Sequence, residues 1–391
     1  MIPIFQQLRR RIPLGWLQLT HEKSRLLVAV SGIAFADVLM FMQSGFQTAL
    51  YDSNTRLHRS LQADIILISP QARSLQSMSI FSRRRLYQAM DVPGVKSAEP
   101  MYCNHIIWKN PQTHLETGVL IIGINPDQPA FDLPEINQQL EKIKLANTVL
   151  FDRSARGEYQ EAIKQIQQGK TVTTEINGST ITISGLFKLG ASFAADGTLI
   201  TSTNNFSQIF ARQPTSSVSI GLVKIKPNYK TDQVVAQLKA YLKDDVRVLT
   251  HAEFIEFENK FWSNNSPIGF IFNLGVSMGF VVGVIIVYQI LSADVNAHLR
   301  EYATFKAIGY PHSYLLTIVF EEALILAVLG FFPGVAVSLG LYYITRTATN
   351  LPMYMTIIRG IQVLFLTIIM CAISGTIATS KLQSADPADM F

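Results

Sequence analysis

The sequence predicts an α-helical membrane protein with four transmembrane helices and a large mixed α/β periplasmic domain between helices one and two. Of its 391 residues, 48% are hydrophobic and only 16% are charged, whereas an average soluble domain is about 25% charged. The apolar residues are concentrated in runs of about 20 residues or more, the length that crosses a bilayer. Between the first two runs lies a segment of more than 200 residues, long enough to enclose its own core, and we expect it to form two lobes.

The distribution of basic residues predicts the orientation of the spans. Residues 1–25, a predicted amphipathic helix, hold five Lys/Arg and one acid, and basic residues beside a first span keep that end in the cytoplasm. Four crossings then leave both termini in the cytoplasm and the large domain in the periplasm, at the bacterial inner membrane. The first run is too long for a cleaved signal peptide and lacks an Ala-x-Ala site, so we expect a retained anchor. The predicted segments are helix one at 26–51, the periplasmic domain at 52–267, helix two at 268–293, a cytoplasmic link at 294–313, helix three at 314–345, a periplasmic loop at 346–359, helix four at 360–380 and a tail at 381–391.

Within the large domain, the hydrophobic pattern predicts strands mixed with helices. Apolar runs ended by proline or turn residues are typical of strands, and Asn177-Gly178 between two alternating runs is a strong hairpin signal. The two cysteines, Cys103 and Cys371, lie in different parts of the chain, so we expect no disulfide. Strands are predicted at 63–70, 117–126, 147–152, 171–187 (the hairpin) and 217–227, and helices at 81–90, 154–168 and 229–244.

Several classes of chemistry lack their motifs in this sequence. The Gly-Lys-Thr at 169–171 lacks the earlier glycine of a phosphate-binding loop and opens a strand. The seven histidines show no helix-face metal spacing, and no Gly-x-Ser-x-Gly marks a nucleophile. Residues 52–267 carry 23 Lys/Arg and 20 Asp/Glu, so the net charge of +5 reflects topology and not a nucleic-acid partner. We therefore predict no catalytic residue, metal or cofactor in this chain.

Asp37 is the one charged residue inside the first predicted span. A carboxylate at mid-span costs on the order of 2.5–3.5 kcal/mol on insertion scales, so it is expected to face a partner and not lipid. Two explanations are open. The favoured one is a hydrogen bond to another span or to water. The other is a proton relay, which lacks an evident second buried ionisable residue in the remaining spans.

Small residues mark the second span and a proline marks the third. Gly275, Gly279 and Gly283 recur every four residues, which clears one helix face for close approach of another helix. That face is either a subunit interface or sliding contact, or packing within one chain. Pro333 is expected to bend or loosen the third span, because proline cannot donate a backbone hydrogen bond.

The link between the second and third spans has the pattern of a short helix. No helix breaker occurs from Leu299 to Ile308, and Gly309 then ends the segment. Apolar side chains at steps of three stand beside charged ones, so the segment is too polar to cross the bilayer. We interpret it as a coupling segment, a cytoplasmic handle through which a partner protein moves both spans; a solvated loop is the alternative. The predicted coupling residues are Arg300, Glu301, Tyr302, Phe305, Lys306, Ala307, Ile308 and Gly309.

The stretch from the coupling segment into the third span resembles the FtsX/MacB-type permeases of ABC exporters. The matching residues are Arg300, Glu301, Lys306, Ala307, Ile308, Gly309, Glu322 and Ala323. Of the adjacent acids Glu321 and Glu322, we assign the family position to Glu322 because alanine follows it. The start at 17–33, the Pro-Gly-Val at 93–95 and the tail at 385–390 are also similar, so the resemblance covers nearly the whole chain. Within the family the sequence is most similar to the cyanobacterial DevC-type subunits, which lack a fused ATPase.

The resemblance implies a mechanism and a set of partners. Two copies pair as a homodimer in the lipid membrane, and two separate cytoplasmic ABC ATPase subunits, which bind the ATP and Mg, grip the coupling segments. Their motion passes through the helices to the periplasmic domains. A membrane-fusion protein and a TolC-like outer-membrane tunnel complete the export path, and in DevC-type systems the cargo is a glycolipid. The scarcity of charged residues in the spans also favours force transmission over a polar pore.

Two alternatives belong to other functional classes. An FtsX-like regulator would activate a periplasmic cell-wall hydrolase without exporting anything, although the domain at 52–267 is larger than a docking module requires. A membrane-anchored enzyme acting outside would need a nucleophile or a metal cluster, and the sequence offers neither motif.

Overall fold

The structure, a computed structural model, describes residues 23–211, 214, 216–242, 244–301, 304 and 308–383. It divides into two compact units: a helical unit of residues up to 48, 270–345 and from 353 onward, and an α/β unit of residues 49–269 and 346–352. The predicted N-terminal helix before Lys23 and the tail after Gln383 lie outside the described residues. The described elements, in chain order, are α1 (Lys23–Arg59), β1 (Ile65–Ile68), β2 (Phe81–Ser82), α2 (Arg84–Met90), β3 (Val95–Lys109), β4 (Glu116–Ile124), α3 (Pro134–Asn137), a 3-10 turn (Leu140–Lys144), β5 (Thr148–Asp152), α4 (Gln160–Gln167), β6 (Val172–Ile176), β7 (Ser179–Phe187), β8 (Thr198–Ser202), α5 (Thr203–Ile209), β9 (Ser217–Val218), β10 (Ile220–Ile225), α6 (Thr231–Tyr241), β11 (Arg247–Thr250), α7 (His251–Lys260), a π turn (Phe261–Asn265), α8 (Pro267–Ala297), α9 (His312–Thr349) and α10 (Ile357–Gln383).

Four helices among the described residues are long and apolar enough to cross a membrane: α1, α8, α9 and α10. Each contains one predicted span and is longer than it. Helix α1 continues past residue 51 because its last turns carry polar side chains, including Asn54 and His58, that are buried in the α/β unit. Helix α8 runs to Ala297, so Asp294, assigned to the link from the sequence, lies inside a helix. Pro333 lies inside α9.

The α/β unit is organised around one mixed sheet. Within the described residues the sheet has nine strands in the order β11-β1-β10-β3-β4-β8-β5-β7-β6. Strand β6 also pairs with β3, at Ile176 opposite Trp108, so the six strands from β3 to β6 form a closed set. Buried apolar side chains form two clusters, one containing Trp108 and Phe151 and the other containing Phe131 and Phe254.

The longest strand, β3, was not predicted from the sequence. Its 15 residues include Pro100, which cannot donate a hydrogen bond to a neighbouring strand and usually indicates a strand edge. In the structure β3 pairs with β10 up to Met101 and with β4 from Met101 onward. Pro100 therefore lies where only one side of the strand is paired, which makes the proline compatible with a central strand.

The other strand predictions are confirmed, and two helix predictions are corrected. The hairpin forms between β6 and β7, with Asn177 and Gly178 both at positive φ (49° and 77°), as a type I′ turn requires. The predicted helix at 81–90 begins only at Arg84, because the first two residues pair with β9. The predicted helix at 154–168 begins only at Gln160, because Gly157 adopts a φ of +123°, which a helix cannot include. Both cysteines are unpaired and buried.

Candidate functional site

The coupling segment joins α8 to α9. The Ile308 N–H donates to the Thr304 carbonyl (3.0 Å) and the Thr304 hydroxyl donates to the Arg300 carbonyl (2.9 Å), as in a helical turn. Gly309 then has a φ of +101°, a left-handed conformation that ends helices and that glycine adopts without strain. Arg300, Glu301 and Ile308 are exposed, Ile308 to 70%. Four predicted coupling residues lie outside the described residues, and their role stays a prediction: Tyr302, Phe305, Lys306 and Ala307.

Ionisable side chains from three helices meet in the helical unit, near the end of α8 that leads into the coupling segment. Arg25 of α1 lies 3.6 Å from the Asp294 carboxylate of α8. Glu322 of α9 is fully buried, and its carboxyl group lies beside that of Asp294. Of the two adjacent acids in α9, Glu322 is the buried one and Glu321 is partly exposed. The Arg25–Asp294 ion pair links α1 to α8 by electrostatics. Two adjacent carboxylates would repel one another, so the contact between Asp294 and Glu322 links α8 to α9 only as a hydrogen bond in which one of the two carboxyl groups carries a proton.

Asp37 connects three helices in the middle of the helical unit. It is fully buried, and its Oδ1 accepts a hydrogen bond from the Thr367 hydroxyl of α10 at 2.5 Å. Gly334 of α9 packs against it, since a Cβ atom placed on Gly334 would lie 2.9 Å from the Asp37 Cβ. Twelve residues, or about 18 Å of helix, separate Asp37 from Arg25. Asp37 is therefore a separate interhelical contact and not a member of the Asp294–Glu322 cluster.

The three glycines of α8 face other helices of the same chain. A Cβ atom on Gly275 would lie 2.5 Å from the Gln43 side chain, and one on Gly279 would lie 3.2 Å from that of Met40. A Cβ atom on Gly283 would overlap the Met370 sulfur of α10. The glycine face of α8 therefore packs against α1 and α10 of the same chain, as expected from the second of the two explanations given for these glycines.

An arginine that the sequence analysis did not single out is buried at the start of α10. The Arg359 guanidinium donates to the Tyr354 carbonyl (2.7 Å) and to the Tyr342 hydroxyl (3.3 Å), and lies 5.6 Å from the Tyr342 ring centre. The Tyr342 hydroxyl in turn donates to the Phe41 carbonyl of α1. Arg359 thus anchors α9 and α1 to the beginning of α10.

In the α/β unit, Glu258 links the two helices whose chains continue into the helical unit. It is 1% exposed and accepts hydrogen bonds from the Trp262 indole and the Leu75 N–H, both at 2.8 Å. Its carboxylate lies 3.4 Å from the imidazole of His58, near the end of α1. His251 at the start of α7 also contacts the His58 carbonyl, at 2.7 Å. The end of α1 and the end of α7 are therefore held together at one buried carboxylate.

The expectation that no second ionisable residue is buried among the spans was wrong. Asp294, Glu322 and Arg359 are all buried in the helical unit. Asp294 and Arg359 were missed because each lies just beyond the edge of an apolar run, where sequence predicts exposure. The sequence offered one signal: Asp294 directly follows the predicted span at 268–293, and Arg359 directly precedes the one at 360–380. Helices that extend past their apolar runs would include both residues.

The described residues comprise four apolar helices, an α/β domain that follows the first and, between the second and third, a hydrogen-bonded turn at Arg300, Thr304 and Ile308 that ends at Gly309. A family model described as the MacB-like periplasmic core domain matches residues 26–241, and one described as the FtsX-like permease C-terminal region matches residues 273–387. The chain therefore belongs to the FtsX/MacB family of permeases.

Solved structures resemble about half of the chain more distantly. The periplasmic region of MacB from Actinobacillus actinomycetemcomitans is 12% identical with a TM-score of 0.33, covering 50% of this chain and 92% of that one. The extracellular domain of the noncanonic ABC-type transporter YknZ from Gram-positive bacteria is 15% identical with a TM-score of 0.31, covering 48% and 99%. A search of the curated proteins found no match. TM-scores below 0.5 do not define a common fold, so the family assignment rests on the two family models.

Proposed function

We propose that the chain is the non-catalytic permease subunit of an ABC exporter, and that it transmits the motion of a separate cytoplasmic ATPase to its α/β domain. The observation that carries this proposal is the hydrogen-bonded turn formed by the described residues Arg300, Thr304 and Ile308 and ended by Gly309. It lies between two membrane-length helices in the part of the chain that matches the FtsX-like permeases. A helix over this segment, as the sequence predicts, transfers a push to both long helices, whereas a flexible loop of the same length would absorb it.

The contacts inside each unit support transmission. In the helical unit the Arg25–Asp294–Glu322 cluster ties α1 to α8 and α9, next to the coupling segment. In the α/β unit Glu258 ties the end of α1 to the end of α7. A displacement of α8 would accordingly be shared with α1, because separating Arg25 from Asp294 leaves a buried carboxylate without its partner at a cost of several kcal/mol.

The family membership and the DevC-type resemblance support proposals for the remaining parts of the assembly. The α/β domain is periplasmic, both termini are cytoplasmic, and two copies form a homodimer. ATP and Mg bind to the ATPase partner. A membrane-fusion protein and an outer-membrane tunnel continue the path, and the cargo is a glycolipid or another lipid-like molecule, as in the DevC-type systems that the sequence resembles.

The test compares coupling variants in the assembled complex. The purified chain alone should hydrolyse no ATP, and its complex with the ATPase subunit should do so. Glu301→Ala and Phe305→Ala should each lower transport at least about tenfold. Glu301→Ala should leave the thermal unfolding temperature unchanged, because Glu301 is exposed and exposed side chains contribute little to stability. Glu256→Ala, which removes an exposed carboxylate from the α/β unit, is the matched control.

Wild-type transport in both coupling variants would contradict the assignment of residues 299–309. The regulatory alternative predicts a different partner. If affinity purification of the intact chain recovers a cell-wall hydrolase and no membrane-fusion protein, the exporter proposal fails and the FtsX-like regulator replaces it.

A further inference from the structure

A groove of about 800 Å³ opens in the α/β unit, beside the segment that leads into α8. It lies between the loop after β1, the start of β11 and the last turns of α7. Three cationic side chains line it, each from a different element: Arg73 from the loop, Arg247 from β11 and Lys260 from α7. We call it the Arg73 groove.

Hydrogen bonds fix the loop that carries Arg73 and the side chain of Arg247. The loop that carries Arg73 is folded tightly, because the Arg73 N–H donates to the Ser77 carbonyl (3.2 Å) and the Leu75 N–H donates to the buried Glu258 (2.8 Å). Arg247 lies in a strand, donates to the Pro70 carbonyl (3.2 Å) and stacks 5.6 Å from the centre of the Phe257 ring. The cations are therefore presented by ordered elements and not by mobile chain.

The charge of the groove is strongly positive. One acid is paired with these cations: Glu256 lies 2.9 Å from Lys260. Among the described residues, Arg73 has no carboxylate partner. The net charge of the three cations and this acid is +2, so an anion entering the groove meets at least one unneutralised guanidinium at an exposed position.

The aromatic side chains of the groove lie at the end of α7, where the chain continues into α8. Phe257, Lys260 and Phe261 are three and four residues apart, so they share one face of the α7 end. The lining ends at Asn265, and α8 begins two residues later at Pro267. Two residues of chain span at most about 7 Å. The groove therefore presents cations and aromatic rings side by side, and an anionic head joined to an apolar body can contact both.

We propose that the Arg73 groove binds the phosphate-bearing headgroup of an anionic phospholipid from the bilayer that α8 enters. Basic side chains contact the phosphate, and the two phenylalanine rings contact the glycerol and the first methylene groups of the lipid. This function is separate from ATP-driven transport. It requires that α8 crosses a membrane but not that the chain is an exporter, so either proposal can fail without the other.

The test uses the full chain in mild detergent and measures lipid binding by native mass spectrometry. The probes are phosphatidylglycerol, phosphatidylcholine and inorganic phosphate. Phosphatidylglycerol should bind at least about tenfold more tightly than phosphatidylcholine. The double variant Arg73→Gln/Lys260→Gln should weaken phosphatidylglycerol binding about tenfold or more, since each basic residue near an anionic headgroup contributes roughly fivefold in affinity.

The matched control is Arg84→Gln/Lys170→Gln, which removes the same charge from exposed positions outside the groove and should bind phosphatidylglycerol as the wild type does. An equal loss of binding in both double variants would overturn the proposal, because it would mean that net charge alone attracts the lipid. Equal affinity for the two lipids would also overturn it. Displacement of phosphatidylglycerol by inorganic phosphate at equal concentration would assign the groove to a free anion and not to a lipid.

Folding is checked separately. Both Arg73 and Lys260 are exposed, so the groove variant should keep the wild-type thermal unfolding temperature. If the variant instead changes the oligomeric state of the chain while lipid affinity stays the same, the groove holds a second protein copy and the lipid assignment is wrong.

Discussion

Different interactions stabilise the interior of each of the two units. In the α/β unit the largest buried side chains are aromatic and aliphatic, and they pack against a sheet whose backbone groups bond to one another. In the helical unit the interior also contains Asp37, Asp294, Glu322 and Arg359, and each contributes to a contact between different helices. The α/β unit is therefore stabilised mainly by packing over its sheet. The helical unit also has polar contacts that join pairs of helices at specific points, and the proposed transmission of motion depends on these contacts.

The largest expected effect lies in the sheet core of the α/β unit. Trp108 is fully buried and stacks on Phe151, with ring centres 5.1 Å apart. Trp108→Ala should lower the free energy of unfolding by about 3–5 kcal/mol, because it leaves a large cavity. Urea unfolding of the full chain, followed by circular dichroism, measures this loss. A cost below about 1 kcal/mol would mean that the closed part of the sheet is not the stable core.

The next effect tests whether α1 and α7 are held by Glu258. Glu258→Ala leaves the Trp262 and Leu75 N–H groups without their acceptor and should cost about 3 kcal/mol of unfolding free energy. Glu256→Ala, on the exposed face of the same helix, should cost less than about 1 kcal/mol. Equal losses of unfolding free energy for the two substitutions would mean that the buried Glu258 contributes no more to stability than an exposed glutamate, which would contradict its role in holding α1 and α7 together.

A glycine substitution probes close packing in the helical unit. Gly283→Ala should lower the thermal unfolding temperature by an amount that corresponds to about 1–3 kcal/mol, because its methyl group would overlap Met370. Gly340→Ala is the control, since nothing lies within 4 Å of a Cβ atom there. If both variants melt like the wild type, α8 does not pack closely against its neighbours in the same chain.

A smaller effect is expected for one polar contact between spans. Thr367→Val keeps the shape of the side chain and removes the hydrogen bond to Asp37, at a cost of about 0.6–1.7 kcal/mol. Thr376→Val removes only a bond to a carbonyl of its own helix and should be close to neutral. Thermal unfolding of both variants is measured in the same detergent. A lower unfolding temperature for Thr367→Val than for Thr376→Val would show that the interhelical hydrogen bond stabilises the helical unit.

The smallest effect is a pH dependence in the α/β unit. Burial lowers the pKa of His105, opposed in part by the nearby Glu258. The unfolded chain then binds a proton more readily than the folded one, so the contribution of His105 to stability is complete above about pH 6.5 and is lost as the pH falls through that value. His105→Gln should reduce the drop in unfolding temperature between pH 8 and pH 5.5. The exposed His114→Gln should leave that drop unchanged.

Sequence reasoning performed differently in the two units. In the α/β unit it located the hairpin at Asn177-Gly178, because turn chemistry is local, and it missed β3, because the pairing that accommodates Pro100 depends on distant strands. In the helical unit it found the four apolar helices and Asp37 from hydrophobicity alone. It did not find the partners of Asp37 or the burial of Asp294 and Arg359, since these depend on which helix faces meet.

The central claim, that an ATPase drives this chain through residues 299–309, is tested most directly by site-specific photocrosslinking in cells. A photoreactive amino acid at Ile308 is compared with one at Leu115, since the two side chains are equally exposed, 70% and 69%, and lie in different units. The account predicts that position 308 crosslinks to a cytoplasmic ABC ATPase subunit and that position 115 does not. Crosslinks from position 308 to periplasmic proteins, or to lipid alone, would contradict it.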